Sequence, residues 1–163
     1  MIQLRLLMIK IQHGQKYTGF NFNEVGTKFN EFYKDHLPFE LTDAQKRVIR
    51  EIRHDLGSGT QMNRLLQGDV GSGKTVVSLL TMLLAIDNGF QACLMAPTEI
   101  LAEQHYNSIT KMLSGLPITV GLLTGSSTKA ERTTIHTALR SGFMKILIVT
   151  HALLEDVVQF EKL

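Results

Sequence analysis

The sequence predicts an α/β fold in which a parallel sheet is covered by helices on both faces. Two observations support this prediction. Short apolar runs alternate with helical stretches in the order β-α-β-α-β-α-β, and the apolar runs are continuous rather than interrupted at every second residue. Continuous apolar runs are typical of strands buried on both faces, and helices connect such strands. A chain of 163 residues with 44% apolar residues can bury one core of this kind.

Four predicted segments precede this alternation. Residues 14–27 show no apolar period and predict a linker. An aromatic helical face over residues 29–37 then ends near Pro38, because the residue before a proline avoids the helical region. Residues 42–45 form a capping box, Thr-Asp-Ala-Gln, which predicts a helix that continues to Gly57. Near the N-terminus, the helical spacing of four apolar residues predicts an amphipathic helix: Leu4, Leu7, Met8 and Ile11.

The alternation itself starts after a loop at residues 57–60. Gly89 is expected to end the first helix as a C-cap. Ligands bind at the carboxyl ends of the strands in such sheets, and small or polar residues follow each apolar run here. The predicted strands are residues 62–66, 92–95, 118–123 and 146–149, and the helices between them are residues 74–88, 98–113 and 129–139.

Composition narrows the function classes without choosing one. The formal net charge is +2 and no basic stripe is visible, so any contact with nucleic acid is expected to use local hydrogen bonds and helix N-termini. Cys93 is the single cysteine and lies in an apolar run, which fits a buried thiol in a cytoplasmic protein. Arg5 and Lys10 interrupt the apolar N-terminus, which argues against a signal peptide or membrane span. The six His residues show no metal-ligand spacing.

The segment GDVGSGKT follows the pattern G-x-x-x-x-G-K-[ST] between a predicted strand and a predicted helix. Glycines let a backbone turn its N–H groups towards phosphate oxygens at a helix N-terminus. Lys74 would reach the β- and γ-phosphates of ATP, and the Thr75 hydroxyl would bind Mg²⁺. A chance glycine-rich turn is the alternative, but the strand-turn-helix context argues against it. The predicted nucleotide-binding residues of this loop are Gly68, Asp69, Val70, Gly71, Ser72, Gly73, Lys74 and Thr75.

The loop alone does not identify the chemistry, because kinases, GTPases and ATPases share it. The guanine-reading pattern N-K-x-D is absent from the sequence. Five segments together indicate the class of protein: LPFELTDAQ (37–45), GDVGSGKT (68–75), MAPTEILAEQH (95–105), LLTGSS (122–127) and IVTHALL (148–154). In this order they closely resemble the first RecA-like motor domain, a P-loop NTPase fold, of the RecG-type DNA helicases of superfamily 2.

The resemblance implies a division of the chain at residue 37. Residues 37–163 correspond to a partial helicase ATP-binding domain, and residues 1–36 to the connection from a branch-recognising wedge domain. The transcription-repair coupling translocase shares the loop and is the nearest alternative. Ser72, the APTE sequence and LLTGSS favour the RecG type.

The resemblance also assigns roles to single residues. Phe39 and Gln45 match a Q-motif, in which the glutamine binds the adenine edge and the aromatic ring packs near the base. Gln45 equally fits the capping box, and both interpretations stay open because its side chain has several polar atoms. The residues implied to contact the nucleic-acid backbone are Pro97, Thr98, Glu99, Gln104, Thr124, Gly125, Thr150 and His151.

Three of these assignments have structural alternatives. Thr98 is equally suited to be a plain N-cap, with Glu99 an ordinary first-turn acid. A single His at a strand end is more often structural, which applies to His151. Lys129 and Arg132 follow the Thr124 loop and either reach phosphate or form a solvated face.

The implied function is that of an ATP-dependent helicase or translocase on branched DNA, such as replication forks and recombination intermediates, in DNA repair and recombination. In such motors an acidic strand supplies the water-activating carboxylate. We expect the sheet to be truncated before this strand, because Glu155, Asp156 and Glu161 do not follow an apolar run. A second motor domain and the wedge would be its partners. The chain alone is then expected to bind nucleotide weakly without turnover. A complete, non-catalytic binding module and a small P-loop kinase are the other hypotheses.

Overall fold

The computed structural model describes residues 18–37, 39–151 and 158–163. The helical spacing at residues 4–11, the first part of the predicted linker, Pro38 and the acids Glu155 and Asp156 lie outside these residues. Within the described part of the chain, no helix is both long enough and apolar enough to span a bilayer.

Among the described residues, three parallel strands form a sheet in the order β1-β3-β2. They are β1 (Ala92–Ala96), β2 (Val120–Leu123) and β3 (Ile146–Thr150). All five residues of the central strand β3 are buried, and its side chains alternate between two apolar clusters. Ile146 and Ile148 belong to one cluster and Leu147 and Val149 to the other. The continuous apolar run therefore reflects burial on both faces, as predicted.

The described part of the chain contains five α-helices, whose bounds agree closely with the predicted ones. They are α1 (Thr27–Glu31), α2 (Asp43–Leu56), α3 (Lys74–Asp87), α4 (Glu99–Met112) and α5 (Lys129–Arg140). A π-helical turn, Phe32–His36, continues α1. Helices α2, α3 and α4 share the cluster of Ile146 and Ile148, while α5 packs on the opposite face through Ile135 and Leu139. The predicted α/β fold with helices on both faces is confirmed.

Local signals in the sequence explain several of these boundaries. Helix α2 begins at Thr42 with the predicted capping box, whose side-chain and backbone bonds to Gln45 are both present. Gly89 follows α3 with φ +83°, a conformation in which glycine is favoured. The described part of the predicted linker is packed rather than free, because Phe20 and Phe22 contact Phe90 with ring centroids 4.6 and 4.8 Å apart.

The strand predicted over residues 62–66 is wrong. This segment forms no strand, and Leu65 is 85% exposed. A strand needs a neighbour that accepts its backbone hydrogen bonds, and the described strands pair only with one another: β1 and β2 both pair with β3. An apolar run such as residues 62–66 is therefore not sufficient to predict a strand.

Cys93 lies in β1 as predicted, and its thiol is free. Burial raises the pKa of the Cys93 thiol to about 11, because a thiolate would lose its hydration in the apolar surroundings. The side chain is therefore a protonated packing group at neutral pH rather than a nucleophile.

Candidate functional site

The phosphate loop occupies the N-terminus of α3. Gly71 and Gly73 adopt φ values of +81° and +80°, in the left-handed region that glycine tolerates. Gly73 is the N-cap of α3, and no side chain caps this helix. The glycines therefore shape the turn, and the first turn of the helix is left open towards the loop.

Several backbone N–H groups of this loop point to no protein acceptor. Ser72 N–H donates to the Asp69 carbonyl at 3.1 Å, but among the described residues the N–H groups of Gly71, Gly73, Lys74 and Thr75 have no such partner. First-turn amides have no acceptor inside their own helix, so an anion or water must satisfy them. This donor set fits the phosphates of a nucleotide.

The Lys74 side chain is folded back over the loop. Its Nζ donates to the carbonyl oxygens of Gly68 at 2.7 Å and Asp69 at 2.8 Å. The ammonium group therefore lies against the same loop whose N–H groups are free, where it adds a full positive charge. Thr75 follows on the first turn of α3 and is partly buried.

Gln45 connects helix α2 to the phosphate loop. Its Oε1 accepts from the Thr42 backbone N–H at 2.8 Å, and its Nε2 donates to the Ser72 carbonyl at 2.8 Å. The capping interpretation of Gln45 is confirmed, and the same side chain holds the loop. Its carbonyl oxygen and one N–H are thus already used by the protein. Phe39 is 45% exposed and lies beside Gly73.

A cleft of about 920 Å³ opens beside the loop. Phe39 and the loop residues from Val70 to Thr75 line one side, and the exposed face of α4 lines the other. Asp35 is the one carboxylate residue of this lining. The α4 residues that line the cleft, none of which was predicted as a site residue, are Leu101, His105, Ser108, Lys111 and Met112.

The other predicted site residues meet at the carboxyl edge of the sheet. Ala96 pairs with Thr150, and Leu123 pairs with Val149, so the residues that follow the three strands lie side by side. Thr124 and Thr150 are buried, while Pro97, Thr98 and His151 are exposed. The predicted grouping of the strand-end motifs is therefore present. Gln104 lies on the second turn of α4 and is exposed.

Thr98 and Glu99 both make contacts within the protein. The Thr98 hydroxyl accepts from Leu101 N–H at 3.3 Å, so Thr98 is the N-cap of α4. Glu99 Oε1 accepts from Ser126 N–H at 3.2 Å and lies against Gly125. Glu99 is therefore more than a first-turn acid, because it links the loop after β1 to the loop after β2. Sequence reasoning did not find this contact, which joins residues 27 positions apart.

The loop after β2 is held by its own side chains and by Arg132. Thr124 N–H donates to Ser127 Oγ at 3.0 Å, and the hydroxyls of Thr124 and Ser126 are 2.8 Å apart. The Arg132 guanidinium donates to three carbonyls of the loop, those of Thr124, Gly125 and Ser127, at 2.9 to 3.0 Å. The guanidinium therefore positions the loop rather than lying free on a solvated face, and the phosphate contact of Arg132 stays a prediction.

A second capping box begins helix α5. Thr128 N–H donates to Glu131 Oε2 at 2.7 Å, and Glu131 N–H donates to the Thr128 hydroxyl at 3.3 Å. The backbone N–H of Thr128, and then its hydroxyl, lower the pKa of Glu131 from its ordinary value of 4.5. The T-x-x-E spacing is a sequence signal that could have revealed this cap.

With this geometry established, the chain can be compared with known proteins. A sequence profile described as DEAD/DEAH box helicase matches residues 42–163. The chain belongs to this helicase family. The match includes the phosphate loop and the residues that directly follow the three strands, whereas Asp35 and Phe39 of the cleft precede it.

Curated relatives of this helicase-family chain include two proteins named ATP-dependent DNA helicase RecG. The one from Synechocystis sp. is 46% identical and covers 99% of the chain, and the one from Aquifex aeolicus is 45% identical and covers 96%. The chain spans about a fifth of the length of these relatives, 19% and 20%. The resemblance to RecG-type helicases is confirmed as a similarity of this region.

A solved structure gives the same result for the fold. It is described as RecG bound to a three-way DNA junction, and its chain matches with a TM-score of 0.78 and 42% identity. The match covers 97% of this chain and 21% of that one. The α/β arrangement of this helicase-family chain is therefore that of one region within a larger DNA-binding protein.

Proposed function

We propose that this chain is the nucleotide-binding part of the first motor domain of an ATP-dependent DNA helicase that acts on branched DNA in repair and recombination. The observation that carries the proposal is the phosphate loop. Its N–H groups at Gly71, Gly73, Lys74 and Thr75 lack protein acceptors among the described residues, in a chain of the DEAD/DEAH box helicase family. The relatives' names and the three-way junction support the choice of DNA substrate.

Different residues of the site contact different parts of ATP. The free N–H groups and the dipole of α3 stabilise phosphate oxygens, and the Lys74 ammonium moves from the Gly68 and Asp69 carbonyls to the β- and γ-phosphates. The Thr75 hydroxyl binds Mg²⁺, which neutralises phosphate charge when bound. Phe39 packs near the base, and Gln45 contacts the adenine edge through its remaining N–H while it keeps the loop in place.

Hydrolysis needs a carboxylate that activates water, and we propose that it lies outside the described residues. Glu161 is an unsuitable candidate because its backbone bonds to the Gln91 side chain, immediately before the start of β1. That is the amino edge of the sheet, whereas the strand-end motifs lie at the carboxyl edge. Coupling to a second motor domain and a wedge domain belongs to the same proposal.

We propose that the strand-end loops contact the DNA backbone. Pro97, Thr98, Gly125 and His151 are exposed at this edge, and the buried Thr150 ends β3 beside them. Phosphate contacts of this kind position a motor without reading sequence. For the compartment we propose the cytoplasm, on the ground of the single free thiol.

The test is ATPase activity of the full-length protein that contains this chain, measured without DNA, with linear duplex and with a three-way junction. We expect the junction to stimulate turnover most strongly, and Lys74→Ala to abolish it. Turnover that responds to no DNA would exclude the helicase function. Binding of a fluorescent ATP analogue, measured in parallel, separates a failed helicase proposal from a failed nucleotide site.

A further inference from the structure

Helix α2 carries a row of basic side chains that the linear charge pattern concealed. Lys46, Arg50 and Arg53 recur at i, i+4 and i+7, which places them on one face of the helix. The two acids in the middle and last turns of the helix, Glu51 and Asp55, point elsewhere, where both pair with Arg64. This pairing lowers the pKa of Asp55, chiefly through its hydrogen bond with Arg64. The expectation that the chain has no basic stripe is wrong for this helix.

The basic row borders a groove between α2 and the segment from Phe22 to Tyr33. Two adjoining hollows of about 280 and 320 Å³ form the groove, and both are lined by Val25, Arg50 and Arg53. Lys46 lines one end, and Glu24 is the one carboxylate residue among the lining residues of the two hollows. Three cations therefore face a single acid, with His54 beside them.

These cations have no partner within the described part of the chain. Neither Lys46, Arg50 nor Arg53 makes a salt bridge there, although Lys28 and Arg64 nearby do. Like charges at i, i+3 and i+4 repel one another along a helix. An anion bound across the row would relieve this repulsion between neighbouring cations.

The groove also offers an aromatic surface beside the charges. Tyr33 is 38% exposed and lies parallel to the buried Phe29 ring, with centroids 6.1 Å apart. Phe29 and Ile49 contribute an apolar lining. Guanidinium groups beside an exposed aromatic ring are a combination that suits a nucleic-acid strand, because phosphates pair with the cations while a base can stack.

We propose that this groove binds the phosphate backbone of DNA as a contact separate from the strand-end motifs. The groove shares no lining residue with the phosphate-loop cleft. It shares none either with a further hollow of about 650 Å³, which β2 and the loop after it line. DNA phosphates complement its charge, and the Arg50 and Arg53 forks match phosphate geometry. The proposal goes beyond the proposed function, since a groove on α2 can hold DNA whether or not nucleotide is hydrolysed.

The test compares two matched double variants of the full-length protein that contains this chain. Arg50→Ala with Arg53→Ala removes two charges from the groove, and Lys34→Ala with Arg140→Ala removes two exposed charges elsewhere. Affinity for a labelled three-way junction is measured between 50 and 200 mM salt, conditions chosen because phosphate contacts are strongly salt-dependent in that range. Binding of a fluorescent ATP analogue and the melting temperature report the fold and the nucleotide site.

We expect the groove variant to bind DNA about 10-fold more weakly and to lower the slope of log K against log salt by about 2, which is roughly one for each phosphate that the protein no longer neutralises. The control variant should change neither quantity by a comparable amount, and both variants should bind nucleotide normally. Equal DNA affinity and slope in the two variants would overturn the proposal. If the Ala variant does not fold, Arg50→Gln with Arg53→Gln takes its place.

A competition experiment separates DNA from an acidic protein segment. Poly-glutamate peptide is added to the complex with the labelled junction, for the unmodified protein and the groove variant. We expect an unlabelled DNA strand to displace the junction at far lower charge concentration than the peptide does. Displacement by the peptide at equal charge concentration, and only in the protein with an intact groove, would assign the groove to an acidic peptide instead.

Discussion

The phosphate loop at residues 68–75 and the loop at residues 124–128 both carry a family motif but leave their polar groups in opposite states. In the first, the N–H groups of Gly73 and Lys74 have no acceptor among the described residues. In the second, the N–H groups of Thr124 and Ser126 are taken by Ser127 Oγ and Glu99 Oε1. The first loop offers free N–H groups to an anion, whereas side chains of the protein already hold two N–H groups of the second loop.

The two states determine how each loop can meet its ligand. A nucleotide phosphate can enter the first loop without displacing a backbone contact, and only the Lys74 side chain has to move. A DNA phosphate that uses the Ser126 N–H must displace the Glu99 carboxylate, or bind beside it. Nucleotide binding therefore depends on the backbone conformation of the glycines in the first loop. DNA contact at the second loop depends on whether a phosphate replaces the Glu99 carboxylate at the Ser126 N–H.

Lys74→Ala should have the strongest effect of the variants considered, because it removes the charge of the open loop. We expect binding of a fluorescent ATP analogue to weaken about 10- to 100-fold, because a hydrogen bond to a charged group contributes about 1.5–3 kcal/mol. Fluorescence titration measures the affinity. Lys129→Ala, an exposed lysine beside the second loop, is the control. If both variants bind nucleotide equally, the open loop is not the phosphate site.

A pair of glycine variants tests whether space or backbone conformation matters more in the open loop. Gly71 and Gly73 have nearly the same positive φ, but a Cβ at Gly71 meets nothing within 4 Å, whereas one at Gly73 meets the Gln45 amide. Gly71→Ala should reduce the free energy of unfolding by about 1 kcal/mol through strain alone. Gly73→Ala should reduce it by about 2–3 kcal/mol, because the bond from Gln45 to Ser72 is also lost.

Urea unfolding of both glycine variants gives these free energies. Gln45→Ala combined with Gly73→Ala provides the control, since the double variant removes the obstructing amide. The loss in free energy of unfolding of the double variant should equal the loss for Gln45→Ala plus the loss for Gly71→Ala, to within about 0.5 kcal/mol. Identical losses for Gly71→Ala and Gly73→Ala would mean that the Gln45 contact does not stabilise the loop.

The elements that the sequence predicted well are those encoded by local signals. The capping box at Thr42, the C-cap at Gly89 and the phosphate loop depend on residues within one or two turns of each other. The three paired strands were also found, because burial on both faces leaves a continuous apolar run such as residues 146–149. Periodicity and capping chemistry therefore carry most of this fold.

The features that the sequence did not predict share a dependence on distant neighbours. Residues 62–66 have the composition of a strand but lack a partner among the described strands, and no local pattern reveals whether a partner exists. Arg132 looked like a surface cation, and only the folded loop shows its carbonyl acceptors. The basic face of α2 was missed because Glu51 and Asp55 balance the charge along the sequence but not around the helix.

Arg132→Ala tests whether the second loop is held as tightly as its contacts indicate. The change removes the donors to the carbonyls of Thr124, Gly125 and Ser127. We expect the free energy of unfolding to fall by about 1–2 kcal/mol, because these partly buried carbonyls lose charged donors and regain only partial hydration. Urea unfolding measures the loss. Arg140→Ala, an exposed arginine in the last turn of the same helix, should change it by less than about 0.5 kcal/mol.

Arg132→Lys separates charge from geometry in the second loop, since it keeps the charge without the fork that reaches several carbonyls. We expect it to recover less than half of the loss. A lysine variant as stable as the unmodified protein would show that charge, rather than the guanidinium geometry, holds the loop. Nucleotide affinity should be unchanged in both variants, because the Arg132 guanidinium bonds only to the second loop and not to residues 68–75.

The smallest effect should be a pH dependence of the stability that the Thr128–Glu131 capping box contributes at the end of the second loop. The Thr128 N–H and hydroxyl lower the pKa of Glu131 in the folded chain. The stabilisation from the ionised Glu131 carboxylate is therefore fully present above the unfolded pKa near 4.5. It is lost as the pH falls through the lower folded pKa. Glu131→Gln keeps a capping side chain but cannot titrate. The difference in free energy of unfolding between the unmodified protein and Glu131→Gln, measured by urea unfolding, should therefore be constant near neutral pH and change steadily in acid below pH 4.5.

Glu103→Gln is the control, because it removes an exposed carboxylate outside any cap. If its difference from the unmodified protein follows the same curve, the Thr128 cap is not the origin.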